Sequence, residues 1–210
     1  MRELPLFPLN IVPFPGEDLN LHVFEPRYKQ LVNDCLKGDG TFGIPSYINN
    51  KIELGTEVEI TEVFKTYEDG RMDIKTKAGR VFKVDEFWNP WGDKLYAGGL
   101  VTFIKRPEEV STDLNLLLRM KELVSQLFIW LQEANTPKIA TAKSVFEIGH
   151  KIGFKLEEEY ELLRMPHENE RLEFTISHLE NLLPALERAH LAQEKIKQNG
   201  HFKHLDPLKF

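Results

Sequence analysis

Prolines break up an otherwise apolar segment, LPLFPLNIVPFPGEDLNLHVFEPRY, at residues 4–28. Pro5, Pro8, Pro13 and Pro15 forbid a helix, because each removes an amide donor and clashes with the preceding turn. A central sheet strand is disfavoured too, since every proline forfeits a ladder bond. A cleaved secretory leader needs an unbroken apolar run, and here Glu3 and the prolines interrupt it. What remains is a set of short extended pieces joined by fixed corners, with Leu4, Leu6, Phe7, Leu9, Val12 and Phe14 available for burial. The segment reads as the edge and closure of a compact β domain.

The rest of the chain supports a folded protein of moderate size. Its 210 residues suffice for one large domain or two small ones, and a hydrophobic content of 41% is ordinary for a globular core. No run is apolar enough to span a membrane; LNLLLRMKELVSQLFIWL carries Arg119, Lys121 and Glu122. The net charge of −6 is shared: 12 basic residues face 16 acidic ones up to position 104, and 15 face 17 beyond it. Neither half is the basic body that tracks nucleic-acid phosphates. A single cysteine excludes an internal disulfide framework and suits a reducing, cytoplasmic setting.

Strands and turns dominate the first half. Val58 and Ile60 alternate with Glu57, Glu59 and Thr61, and the phase slips at Glu62-Val63-Phe64, which predicts a bulge. Asp69-Gly70 is a strong hairpin signal, and Ala78-Gly79 reads as the next turn. Phe82, Val84 and the segment AGGLVTFI add further strands, giving the spacing of a barrel or sandwich. One helix interrupts them. After Pro26, Tyr28, Leu31, Val32, Cys35 and Leu36 share a face, Lys29, Asn33, Asp34 and Lys37 face water, and Gly38 can end the helix.

The period then changes. Ser111, Thr112 and Asp113 are potential N-caps for a helix whose stripe is Leu117, Met120, Val124, Leu127 and Leu131, widened by Leu116, Leu123 and Trp130 and stopped at Asn135-Thr136-Pro137. Shorter helical pieces follow, separated by Gly153. A last stripe, Leu172, Ile176, Leu179, Leu183 and Leu186, contains Pro184, which predicts a kink or two helices end to end. The tail KIKQNGHFKHLDPLKF loses the periodicity. The class is therefore α+β.

Catalytic signatures are missing from this pattern. There is no phosphate-binding GxxxxGK[ST], no GxGxxG and no serine in GxSxG, and Lys143-Ser144 are adjacent, so they do not face each other on a helix. Cys35 lies on an apolar helix face and reads as packing. His201 with His204, and His190 with Glu194, each lack a third metal ligand. No cofactor, metal or catalytic residue is assigned. Two stretches read as recognition surfaces instead. In DEFWNPWGDKLY, Trp88 and Trp91 flank an Asn-Pro turn and could act as binding anchors or close the barrel. In FEPRYK, the charges of Glu25, Arg27 and Lys29 adjoin Phe24 and Tyr28.

The opening segment, with Leu4–Pro8, Phe14-Pro15-Gly16 and Leu21–Tyr28, resembles the start of the Lon protease N-terminal, substrate-binding domain. The likeness continues through FGIP, LGTEVEI, GRVFKV and LYAGGLVTF, and more weakly into YELLRMPHENERLEFTISHL. It implies a PUA-like β pseudobarrel with one helix over residues 1–107, a helical bundle over 108–205 and a tail at 206–210. It further implies a stand-alone, non-enzymatic module without the ATPase and protease domains of full-length Lon. Unfolded or partly folded proteins are the partners implied, with a protease or chaperone as a further associate. Family members engage substrates near the start of this helix, which maps onto Glu25, Arg27 and Lys29, and Pro26 replaces a charge that some members carry. A barrel and a bundle meeting at a shallow seam could offer the cleft. RNA binding is the alternative, because PUA-like barrels include RNA binders, and an enzyme without a recognised motif is the third reading.

Overall fold

Alternating apolar residues between turn signals build six strands in the first half of the computed structural model. The structure describes residues 1–105, 111–131 and 139–200, with positions 193, 194 and 197–200 described by backbone alone. The strands are β1 (Arg2–Leu6), β2 (Asp18–Val23), β3 (Thr41–Ile48), β4 (Lys51–Thr66), β5 (Met72–Trp88) and β6 (Ala97–Phe103). Their order is β2-β5-β4-β3-β1-β6, and β6 pairs back onto β5, which closes β5, β4, β3, β1 and β6 into a ring. The length of β5 permits this closure. Its first half, Met72–Lys77, pairs with β2, and its second half, Phe82–Trp88, pairs with β6.

Two sequence expectations are corrected here. Pro5 lies within β1, which has neighbours on both sides and is not an edge. The sheet tolerates it because β1 meets β3 only at Leu6↔Gly43, so that side demands no donor from residue 5. Ala78-Gly79 is not a turn but the middle of β5. The opposing strand shifts register between Thr56 and Val58, and the bend this introduces helps curl the sheet shut. The slip expected near Glu62 is present, with register shifts between Ile60/Glu62 and Val63/Lys65. Asp69-Gly70 does close the β4–β5 hairpin, in a longer loop where Tyr67 N–H donates to the Arg71 carbonyl and Gly70 takes φ +77°.

Helix α1 (Pro26–Leu36) buries Tyr28, Leu31, Val32 and Cys35 against the barrel, whereas Leu36 is exposed. The stripe at 28, 31, 32 and 35 already covers the available barrel surface, and Leu36 turns past it. Burial pushes the Cys35 thiol up to about 12, so it is an inert packing group.

Helix α2 (Leu114–Leu131) is capped by Asp113, whose carboxylate accepts from the amides of Asn115 and Leu116. It buries Met120, Leu123, Val124, Leu127 and Phe128, while Trp130 and Leu131 remain partly exposed at its end. The expected stop at Asn135–Pro137 lies outside the described residues. Three 3-10 turns, Ile139–Thr141, Val145–Glu147 and Gly149–Lys151, lead to α3 (Leu156–Arg164) and α4 (Glu168–Gly200). The last helix continues through Pro184 to Gly200, so the segment is one helix rather than two end to end, and most of the non-periodic tail, from residue 201 onward, lies outside the described residues. The expected HxxH at His201 and His204 lies outside the described residues, as does the side chain of Glu194.

The inner part of the seam between barrel and helices is filled. Val12, Phe14, Ile48, Leu54 and Val81 from the strand-rich part join Met120, Leu127, Ile152, Leu162, Leu172 and Leu179 in one buried cluster. Polar contacts lock it: the Leu54 amide donates to the Tyr160 hydroxyl at 3.1 Å, and Arg164 pairs with Glu53 at 2.7 Å. His150 stacks on Phe14 and is held between Glu17 (3.1 Å) and Glu159 (2.7 Å). Shallow clefts remain along the outer edge of this seam, one of about 180 Å³ where Ile48 and Tyr160 lie among Lys51, Glu53, Glu161 and Arg164, and one beside Phe146, Ile148 and His150.

Candidate functional site: an aromatic cleft beside the first helix

The start of α1 is set by its sequence. Glu25 takes the extended N-cap conformation and Pro26 supplies the preset φ of the first turn. Arg27 folds back onto Glu25, with its Nε 2.9 Å from Oε2, and its guanidinium lies 4.5 Å from the centre of the Tyr28 ring. Tyr28 turns inward and stacks on Phe7 at 3.6 Å, leaving one edge of its ring at the surface. Phe24 is 57% exposed and stacks on His22. Lys29 points elsewhere and donates to the Asp69 carbonyl at 2.8 Å, which fastens α1 to the β4–β5 hairpin.

A cleft of about 320 Å³ opens next to Arg27 and Tyr28. Its remaining walls include Tyr47, Ile52, Phe87 and Asn89, brought together from the ends of β3, β4 and β5. Tyr47 and Phe87 are 43% and 37% exposed. The Tyr47 hydroxyl is anchored by donating to Asn50 at 3.0 Å, in a turn where Asn49 and Asn50 both adopt positive φ. The result is an aromatic slot with an amide and a guanidinium at its rim.

The tryptophan loop forms the support behind this slot. Trp88 and Trp91 stack with ring centres 6.4 Å apart, across a cis Asn89-Pro90 bond. Trp91 is half-buried over Gly98, where a Cβ would come within 2.3 Å of the indole. Tyr96 and Lys94 both reach Asp34 on α1 at 3.0 Å, and the Leu95 amide donates to the Gln30 side chain. The bond from Lys94 holds the Asp34 carboxyl below the usual carboxylate range, opposed by desolvation and helped further by the bond from Tyr96. Asp34, read as a solvent-facing residue, is thus the pin that ties the loop to the helix.

Of the sequence-selected residues, the structure places Arg27 and Tyr28 on the cleft and Phe24 and Glu25 at the turn that leads into it. Trp88 and Trp91 stand behind it, and Lys29 lies on the hairpin side. Tyr47, Ile52 and Phe87 were not singled out from sequence. The triplet Glu86-Phe87-Trp88 held a signal, since neighbouring strand residues face opposite sides and this pair puts a large aromatic on each face of the strand end. Among the described residues, no group of three or more His, Cys, Asp or Glu side chains could hold a metal ion, and no helix is long and apolar enough to cross a membrane.

A closed barrel with one packed helix, a helical second half and an open aromatic cleft define a binding module. The sequence profile of the ATP-dependent protease La (LON) substrate-binding domain matches residues 3–181, and the chain belongs to that family. Solved structures with this fold include a Lon N-terminal domain protein from Xanthomonas campestris, at 24% identity and a TM-score of 0.66 over 84% of this chain and 98% of that one. The N-terminal domain of a Mycobacterium avium complex Lon protease is similar at 15% identity and a TM-score of 0.64, over 85% of this chain and 98% of that one. Comparison with curated protein sequences gave no match.

Proposed function

We propose that this chain is a non-catalytic cytoplasmic module that binds unfolded proteins through exposed apolar side chains and delivers them to a protease or chaperone. The observation that carries the reading is the aromatic cleft. Tyr47, Phe87, Ile52 and the edge of Tyr28 would take one large apolar side chain, and Asn89 and Arg27 at the rim would take the flanking backbone. Membership in a substrate-binding family supports a polypeptide as the occupant. The acidic surface disfavours RNA, since few phosphates could be neutralised.

Fluorescence anisotropy with a labelled, permanently unfolded protein tests this. Replacing Tyr47 and Phe87 together by Ala should weaken binding about tenfold or more, as expected when two aromatic anchors are lost. Both residues are partly exposed, so thermal melting should change little. Unchanged affinity in a folded variant would place the binding surface elsewhere, and tighter binding of a labelled RNA hairpin than of the unfolded protein would replace this reading by the RNA one.

A further inference from the structure

We propose that the open edge of β2 is a second recognition surface, which takes an extended polypeptide segment as an added strand. The inference rests on the polypeptide-binding reading above and extends it from side chains to backbone.

Ring closure leaves β2 with β5 as its only strand neighbour among the described residues. The direction of its backbone groups follows from the register. Gly16 N–H donates to the Ala78 carbonyl and Ala78 N–H to the Glu17 carbonyl, and the antiparallel ladder then runs Asp18↔Lys77 to Val23↔Met72. The Leu19 carbonyl also accepts from the Thr76 hydroxyl, so it faces β5. Hydrogen-bonded positions alternate in such a ladder, so Leu19, Leu21 and Val23 address β5, and the amides and carbonyls of Asp18, Asn20 and His22 address the open side. No hydrogen bond links those outward backbone groups to other described residues.

Side chains define the kind of strand that fits. Leu19 and Leu21 pack on the barrel core yet remain half-buried, whereas Ile74 and Val58 on the neighbouring strands are fully covered. An added strand that alternates apolar and polar residues would complete that cover on one face. On the other face, the Asp18 side chain is 82% exposed even while paired with Lys77. Beyond Asp18 the edge opens into a cleft of about 690 Å³. Its charged groups are Glu17, Asp18 and Glu147 against His150 and Lys151. Both features favour a basic residue beside Asp18. The occupant is therefore an extended segment of a client with apolar–polar alternation and a lysine or arginine at that end.

Hydrogen exchange on the full chain, with and without a short synthetic peptide of alternating valine and threonine carrying one lysine on the threonine face, tests the proposal. At saturation, the amides of Asp18, Asn20 and His22 should become protected, while those of Leu19, Leu21 and Val23 are protected already. N-methylation of the peptide on its pairing edge should weaken binding about tenfold, the loss of roughly one hydrogen bond, and methylation on the opposite edge should not. Asp18→Lys should reverse the preference between lysine and glutamate peptides. If the peptide binds and is sensitive to the Tyr47 and Phe87 replacements but leaves the β2 amides unprotected, the edge proposal fails and the cleft reading stands. A peptide that does not bind at all overturns the edge proposal, whereas the cleft reading stands or falls with the unfolded-protein titration. Protection that rises with protein concentration in the absence of peptide would mean that a second copy covers the edge, which also overturns the proposal.

Discussion

Gly98 and Trp91 show how tightly single side chains are specified at the closed end of the barrel. Any Cβ at position 98 would strike the indole at 2.3 Å. Gly98→Ala should therefore destabilise the fold by about 1–3 kcal/mol through overpacking. Trp91→Ala should cost about 2–3 kcal/mol, somewhat below a fully buried aromatic truncation because the ring is half-exposed. The two losses should not add: in the Trp91→Ala background, Gly98→Ala should cost almost nothing, because the obstacle is gone. Chemical denaturation of the four proteins measures this cycle, and additive losses would show that the glycine is needed for another reason. Glu57 is a second residue-level case. It occupies the polar phase of its strand, yet it is 8% exposed and bonded to Arg2 and Arg80 at about 3 Å. Alternation cannot reveal this, because the cover on that face of β4 comes from Arg2 and Arg80 on two other strands.

Among the elements, α4 departs furthest from local rules. Pro184 removes an amide and crowds the preceding turn, yet the helix passes through it, with Leu179 and Leu183 buried before it and Leu186 packed after it. Tertiary burial on both sides outweighs the local penalty. Because Pro184 itself is exposed, Pro184→Ala should remove the penalty without opening a cavity and stabilise the protein by about 1–3 kcal/mol, seen as a higher Tm. Helix α1, by contrast, was legible almost entirely: Pro26 marks its start and the stripe at 28, 31, 32 and 35 marks its buried face. The cleft was half legible. Arg27 and Tyr28 belong to a local motif, whereas Tyr47, Ile52 and Phe87 come from three separate strands. Their meeting depends on ring closure, which no local pattern encodes.

For the whole molecule, the joint between barrel and helices governs how stability responds to pH. Burial would lower the His150 pKa, but hydrogen bonds to Glu159 and Glu17 and their charges more than offset it and raise it from 6.5 to about 9. A raised folded-state pKa means that the charged imidazolium stabilises the fold in full below pH 6.5, and that this contribution disappears as pH climbs through about 9. Melting temperature should fall across that window in the parent, and His150→Gln should flatten this part of the profile while lowering stability at pH 6. An unchanged profile would mean that the two carboxylates do not act through His150. The same joint makes the halves interdependent. A fragment of residues 1–105 should bind a hydrophobic dye strongly and lack a sharp melt, because Phe14, Leu54 and Val81 would lose their helical cover.

Ring closure also has a consequence for synthesis. Strand β1 completes the barrel by pairing with β6, and Leu4 and Leu6 become fully buried only in that closed ring. The ribosome makes β1 roughly a hundred residues before β6, a delay of about 5–20 s at ordinary elongation rates. During that interval β1 lacks the strand that pairs along its whole length, and β3 can hold it only at Leu6 and just beyond. A module that we propose binds exposed apolar chains thus emerges as one, and for those seconds it is itself the kind of client it would recognise.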